Sequence, residues 1–394
     1  MWSTFDIDEI RRDFRHLASL GLQVVRFFLL WEDFQPSPER INAQCLARLR
    51  AFLDALHREG LQGMPTFFTG HMSGVNWLPQ WTLDARTPHG RFRTISGGKE
   101  RPYGIGDFYT GALLDAQRFA VRTVAEYLHA HPALYAWDLG NEFSNLREPR
   151  SSQDAAQWSA ALTGELKAVS HADVTGGTHG EDITRDRNIR PSSICAPWTY
   201  ATMHGYPVYS AFARSNSDAE VVPFLSAITA SCADKPVLFS EFGNPTCPPG
   251  TVSPEARIPL PGEATLSVAK ASSNTASFAC LSEEEMGGYA YAVMDKLHAH
   301  GALGALWWCY ADYAEALRQK PPFDKAPHEL TFGIVRSDGT PKPVAHSLAK
   351  FASEAREVTP RMPAIVRESE YYAGLPQTVN STYAAFLRSA DRHA

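Results

Sequence analysis

Two kinds of apolar run alternate along the chain. Ile7, Ile10, Phe14, Leu17 and Leu20 recur at helical spacing, Asp6 and Glu9 form a capping pair ahead of them, and Gly21 stops the helix. Leu22–Leu30 is then almost continuously apolar, broken by Gln23 and Arg26, the pattern of a strand covered on both faces. The alternation repeats with a helix at Asn42–Glu59, carrying Leu46, Leu49, Phe52, Leu53 and Leu56 on one face, and a strand at Gly63–Thr69. Further strands are predicted at Leu134–Leu139, Asp173–Thr178, Tyr200–His204, Pro236–Ser240 and Ala302–Cys309. Helices are predicted at Ala112–Ala130, Ala155–Ser170, Val221–Ala230, Glu283–His300 and Pro343–Ala355. Gly70–Gly106 reads as a long Trp/Gly/Arg-rich loop and Pro245–Leu281 as a polar insertion.

Such alternation implies an α/β protein with a parallel sheet, either a closed barrel or an open doubly wound sheet. As a barrel it is one strand short, because the chain opens on the helix that ordinarily follows the first strand. Seven strands leave two edges with unpaired backbone groups. Three ways of filling the gap are open: a start further upstream, the C-terminal stretch Met362–Ala394, or a second copy of the chain, which would make the protein a homo-oligomer.

With 394 residues, core burial is not limiting, and one large domain or two ordinary ones fit. The 37 basic and 43 acidic residues give a net charge of -6 without runs of like charge, which disfavours nucleic acid and anionic membranes as partners. No apolar stretch reaches the roughly 18 to 20 residues of a membrane span. Met1 is followed almost at once by the first helix rather than by a signal peptide, and the location stays open between cytoplasmic and secreted. Nine Trp and fourteen Tyr, several beside Gly, Pro or Asn, suit sugar-stacking platforms as well as an ordinary aromatic core. Six cysteines without a CxxC pair give no zinc or redox motif, while Cys247 and Cys280 bracket the polar insertion and could staple it in an oxidising compartment.

The candidate chemistry lies at two strand ends, Leu134-Tyr-Ala-Trp-Asp-Leu-Gly-Asn141-Glu142 and Lys235-Pro-Val-Leu-Phe-Ser-Glu241-Phe-Gly. In a parallel barrel both carboxylates converge on one mouth, and two facing carboxylates are the minimal equipment of a glycosidase. Glu142 is the candidate general acid/base, since Asn141 can donate to a substrate 2-hydroxyl and the apolar Trp137 and Phe143 favour a protonated carboxyl. The plainer alternative is a strand-end glutamate paired with a surface cation. Glu241 is the candidate nucleophile and must stay ionised, with Arg26 on its buried strand as the group to hold it so, or else as half of a structural ion pair. His71 and Trp31 are candidate substrate contacts, together with Phe34, Trp77 and Trp81; Glu181, in Thr178-His179-Gly180-Glu181-Asp182, is another. There is no HExxH, and His71, His179 and His204 fall on different strands, so no metal is expected; the three with Glu181 are the one metal-dependent alternative. Nucleotide-binding signatures are absent as well, and no cofactor is expected.

Taken together, Trp-Asp-Leu-Gly-Asn141-Glu142, Met203-His204-Gly205-Tyr206, Leu-Phe-Ser-Glu241-Phe-Gly and Leu306-Trp307-Trp308 resemble, in order and approximate spacing, the clan A glycoside hydrolases. The chain looks most like the family 5 cellulase and mannanase group, over about residues 5 to 355. The resemblance implies a (β/α)8 barrel over 1–360, lacking its first strand, with 361–394 as a tail packed on the outside. It implies retention by double displacement, with Glu142 as acid/base, Glu241 as nucleophile and their carboxyls about 5 to 5.5 Å apart. It implies further that Tyr206, in His204-Gly-Tyr206, hydrogen-bonds the nucleophile, that Trp307 or Trp308 lies under the sugar, and that Arg26 stands near the nucleophile. The substrate class is a β-linked glucose- or mannose-containing oligo- or polysaccharide. A carbohydrate-binding protein without turnover and a transglycosylase using the same residues are the alternatives.

Overall fold

The structure, a computed structural model, describes residues 2–128, 130–247, 257–259 and 277–390. The chain forms two compact units, Met1–Thr178 with Arg187–Thr202, and His179–Asp186 with Met203–Ala394.

The first unit is built on a parallel sheet of β1 (Val24–Leu30), β2 (Gln62–Thr69), β3 (Ala136–Asn141) and β4 (Asp173–Gly177), in that order. Helices α1 (Ile7–Ser19), α2 (Ala43–Arg58), α3 (Gly111–Leu128) and α4 (Ser152–Val169) connect and cover these strands. Asp6 caps α1, its carboxylate accepting from the backbone N–H groups of Asp8 and Glu9, and Asn42 caps α2 in the same way. The apolar stripe of α2 is inward: Leu49, Phe52, Leu53 and Leu56 are all buried. Trp2, ahead of α1, is fully buried; its indole N–H donates to the Phe28 carbonyl at 2.7 Å, and its ring meets Phe34 edge-on. No strand precedes α1 among the described residues.

Gly70–Gly106 is not the open loop expected. It folds into short strands: His71–Met72, Val75–Trp77, Arg93–Ser96 and Lys99–Arg101 form one small sheet, and Leu83–Pro88 pairs with Tyr103–Ile105 in another. The turn between Ser96 and Lys99 requires left-handed backbone at both central positions, which Gly97 and Gly98 supply at φ 58° and 69°.

The second unit carries β6 (Val237–Phe242) in the middle of a three-stranded sheet, flanked by β5 (Ala201–Gly205) and β7 (Gly304–Trp307). β5 enters this unit at Met203. Helix α5 (Val221–Ala233) is apolar nearly all round, which is economical only if both its faces are covered. Helix α9 (Gln377–Ala390) covers the outer one: Tyr383 and Phe386 pack on Phe224, and the Tyr383 hydroxyl donates to Asp218 at 2.7 Å. The remaining helices are α6 (Glu283–Ala299), α7 (Pro343–Ser353) and α8 (Glu368–Ala373).

Most of the Pro245–Leu281 insertion lies outside the described residues; within it Arg257–Pro259 pairs antiparallel with Ser277–Ala279. Cys247 and Cys280, at its ends, form a disulfide with their Cα atoms 4.8 Å apart. The other cysteines are not disulfide-bonded. A cross-link spanning 33 residues is worth roughly 3 to 4 kcal/mol through the chain entropy it removes from the unfolded state. Cys280→Ser, or reduction of the intact protein, is therefore expected to lower the melting temperature by several degrees. Identical melting curves with and without reductant would show the bridge to be energetically idle.

Candidate active site

In the first unit, β3 runs into a sharp change of direction at Glu142. Gly177 of β4 lies so close to the Gly140 carbonyl that a side chain there would overlap it, and the Gly177 carbonyl accepts from the Glu142 N–H at 2.9 Å. Glu142 itself adopts φ 46° and ψ 44°, a left-handed conformation that strains a residue with a Cβ. The chain then turns through Phe143–Asn145, which leaves the Glu142 side chain beyond the C-terminal end of the strand.

Around that carboxylate the first unit assembles a polar network. Arg26 reaches from β1 to β3, donating from Nε to Asp138 Oδ2 and from Nη2 to Asn141 Oδ1, both at 2.8 Å. Thr66 of β2 also donates to Asp138 Oδ2. Asn141 turns an amide N–H to the His71 carbonyl at 2.9 Å. The His71 ring is fixed by Asn76, whose Oδ1 lies 2.8 Å from Nδ1, and places Nε2 3.7 Å from Glu142 Oε2. Asn145 donates to the same Oε2 at 3.0 Å. Arg26, His71, Asn141 and Glu142 are thus gathered into one network, and Asn76, Asn145 and Asp138 are members that sequence reasoning missed. The ion pair with Asp138 answers the structural alternative raised for Arg26.

Trp31 stands apart from this network. It is 2 % exposed, meets Phe68, Trp81 and Phe108 edge-on and donates its indole N–H to Gln35 Oε1. This candidate substrate contact is therefore buried in the core.

In the second unit Glu241 is the penultimate residue of β6 and is 7 % exposed. Tyr206, just past β5, donates its phenolic proton to Glu241 Oε1 at 2.5 Å, and His204 Nδ1 lies 3.9 Å from Oε2. Tyr206 rests in an apolar cluster with Val208, Cys280 and Phe332, against which Trp308 and the disulfide partner Cys247 also pack. The two tryptophans after β7 diverge. Trp308 joins the Tyr206 cluster; Trp307 packs on Phe242 and Tyr289 and donates to the Phe332 carbonyl. Glu181 sits half-buried in the single turn Gly180–Thr184, next to His179, which pairs with His204 in an isolated parallel bridge.

A second polar group in this unit was not legible beforehand. Tyr209 donates to Glu329 Oε1 at 2.7 Å, and since its single proton is committed there, His328 Nε2, also 2.7 Å away, is the donor to Tyr209. Burial pushes the Tyr313 hydroxyl well up from its ordinary value, with Cys309, Glu329 and Glu241 adding to it.

No protein-family model and no curated protein matches the chain. Solved structures do. The GH5_18 protein of Streptomyces cattleya in complex with GlcNAc matches with a TM-score of 0.77 at 19% identity, over 100% of this chain and 88% of that one. A variant of it in complex with Manb1-4GlcNAc matches at 0.76 with the same coverage. The exo-beta-1,4-mannosidase Op5Man5 from Opitutaceae bacterium strain TAV5 matches at 0.69 and 24% identity, over 94% of this chain and 57% of that one. The likeness shows the fold, a (β/α)8 barrel, and decides between the two parallel-sheet architectures that the alternation alone left open.

Burial holds His328 neutral, its pKa pushed down to about 3. An unfolded chain takes up this proton near pH 6.5 and the folded one refuses it, so stability is full above that value and falls as the pH drops toward 3. At pH 5 the loss from this residue should be about 2 kcal/mol. Urea unfolding at pH 7 and pH 5 measures it, and His328→Gln should remove most of the difference; an unchanged difference would clear His328 of the effect.

Proposed function

We propose that the protein is a retaining β-glycoside hydrolase in which Glu241 is the nucleophile and Glu142 the acid/base. The observation that carries this reading is the unequal treatment of two strand-end glutamates. Glu241 accepts a short phenolic hydrogen bond from Tyr206, which orients its carboxylate. Glu142 follows Asn141 at the end of a different strand, in a left-handed conformation of the kind that clusters at functional sites.

In the first step a Glu241 oxygen attacks the anomeric carbon, the bond to the leaving oxygen breaks, and Glu142 gives that oxygen its proton. In the second, Glu142 takes a proton from water, the resulting hydroxide attacks the same carbon, and Glu241 is released as carboxylate. Tyr206 holds Glu241 in the attacking orientation. The second N–H of Asn141 is the donor for the sugar 2-hydroxyl, and Trp308, beside Tyr206, is favoured over Trp307 as the platform under the sugar. Arg26 acts through Asp138 and Asn141, and His71 stands beside the acid/base. Glu181 is retained as a peripheral substrate contact.

For the sugar we favour a β-mannoside, within the broader glucose- or mannose-containing class. Its support is the barrel shared with the exo-beta-1,4-mannosidase and with the structure bound to Manb1-4GlcNAc.

A panel of 4-nitrophenyl β-glycosides and manno-oligosaccharides tests the reading. Hydrolysis of the β-mannoside with retained configuration is expected, and transfer to added acceptor in place of hydrolysis would indicate the transglycosylase. Glu241→Ala should reduce kcat by at least about 1,000-fold. Tyr206→Phe, which removes one hydrogen bond to a charged group, should cost about 10- to 100-fold. A Glu241→Ala variant with the parent rate would sink the assignment.

A further inference from the structure

Arg187 is 4 % exposed in the first unit and makes contacts that the two-step scheme does not use. Its Nη1 donates to Asn145 Oδ1 at 2.9 Å, its Nη2 to the Ser144 carbonyl at 2.6 Å and its Nε to Glu148 at 2.9 Å. Asn145 in turn donates from Nδ2 to Glu142 Oε2, and its backbone carbonyl accepts from Asn76, the residue that fixes His71.

An amide side chain can present either end to a neighbour, but a guanidinium carries only donors. The Asn145 atom facing Arg187 is therefore the carbonyl oxygen, and the NH2 must face Glu142. Oε2 of Glu142 accepts this bond, and because a carbonyl-type oxygen accepts better than a hydroxyl, the contact favours the acid form with its proton on Oε1. With Arg187 gone, Asn145 could turn its carbonyl to Oε2 and accept the proton there, on the wrong oxygen for transfer.

We propose that Asn145 and Arg187 are positioning residues that select which oxygen of Glu142 carries the transferable proton, Arg187 acting by fixing the Asn145 amide. The proposal rests on the assignment of Glu142 as acid/base, and its test separates the two. Departure of 2,4-dinitrophenolate needs almost no protonation, whereas departure of phenolate does. Asn145→Ala should lower kcat/KM for phenyl β-mannoside by about 10-fold, the worth of one hydrogen bond to a neutral acid, and leave that for 2,4-dinitrophenyl β-mannoside within about 2-fold. Arg187→Met should reproduce the split, and Arg187→Lys, whose ammonium can still donate to the Asn145 carbonyl, should restore part of it. Asn145→Leu, which fills the same volume, is read in the same way if the alanine variant does not fold.

Equal losses on both substrates, or none on either, would overturn the positioning role. Glu142→Ala is measured alongside: if it discriminates between the leaving groups and Asn145→Ala does not, the relay alone fails. If Glu142→Ala treats both substrates alike, the acid/base assignment fails and the relay with it.

Discussion

A buried ion pair organises the first unit. Arg26 and Asp138 are 5% and 0% exposed at their side chains, and neither can be left in that setting without the other. Because they sit on β1 and β3, with Thr66 of β2 bonded to the same carboxylate oxygen, the pair fixes the mutual register of three strands. Removing one member of such a pair strands a charge and costs about 3 to 5 kcal/mol, far more than any surface bridge in this chain. From Asp138 the remaining geometry follows along the strand: Asn141 is held by the same guanidinium, and Glu142 comes next.

The two candidate glutamates are presented by different means. On β6 Glu241 lies within the strand, where its pairing with β7 shifts register, and is restrained by a side chain, Tyr206, that stands on an apolar floor. At the end of β3 the backbone is bent to carry Glu142, and the bend depends on the absence of a side chain at Gly177. Oriented tyrosine in one case and oriented main chain in the other reach a similar end: a carboxylate held at the C-terminal end of a strand.

Much of this was legible in the sequence because its signals are local. The caps at Asp6 and Asn42, the helical stripes, the apolar strands and the glutamates that close two of them all lie within a few residues of what they dictate. The hairpins within 70–106 were missed although Gly97-Gly98 marks a tight turn, because the strands around it are too short and polar to alternate visibly. Trp31 was misjudged since an indole in a sequence looks the same whether stacked in a core or open to a ligand. Asn145, Asn76, Arg187 and the Tyr209–His328–Glu329 group were invisible for a different reason. Most of their bonds run to partners well separated along the chain, Arg187 and Asn145 by 42 residues and Tyr209 and Glu329 by 120, and nothing local announces such pairs.

The left-handed backbone at position 142 has a bearing on how this protein could change. Glycine would adopt that conformation freely, so a substitution that abolishes the carboxylate would also relieve strain. Selection for heat resistance alone would therefore erode the site from its own centre. A glutamate that persists there marks a trade between endurance and chemistry, struck at a single residue.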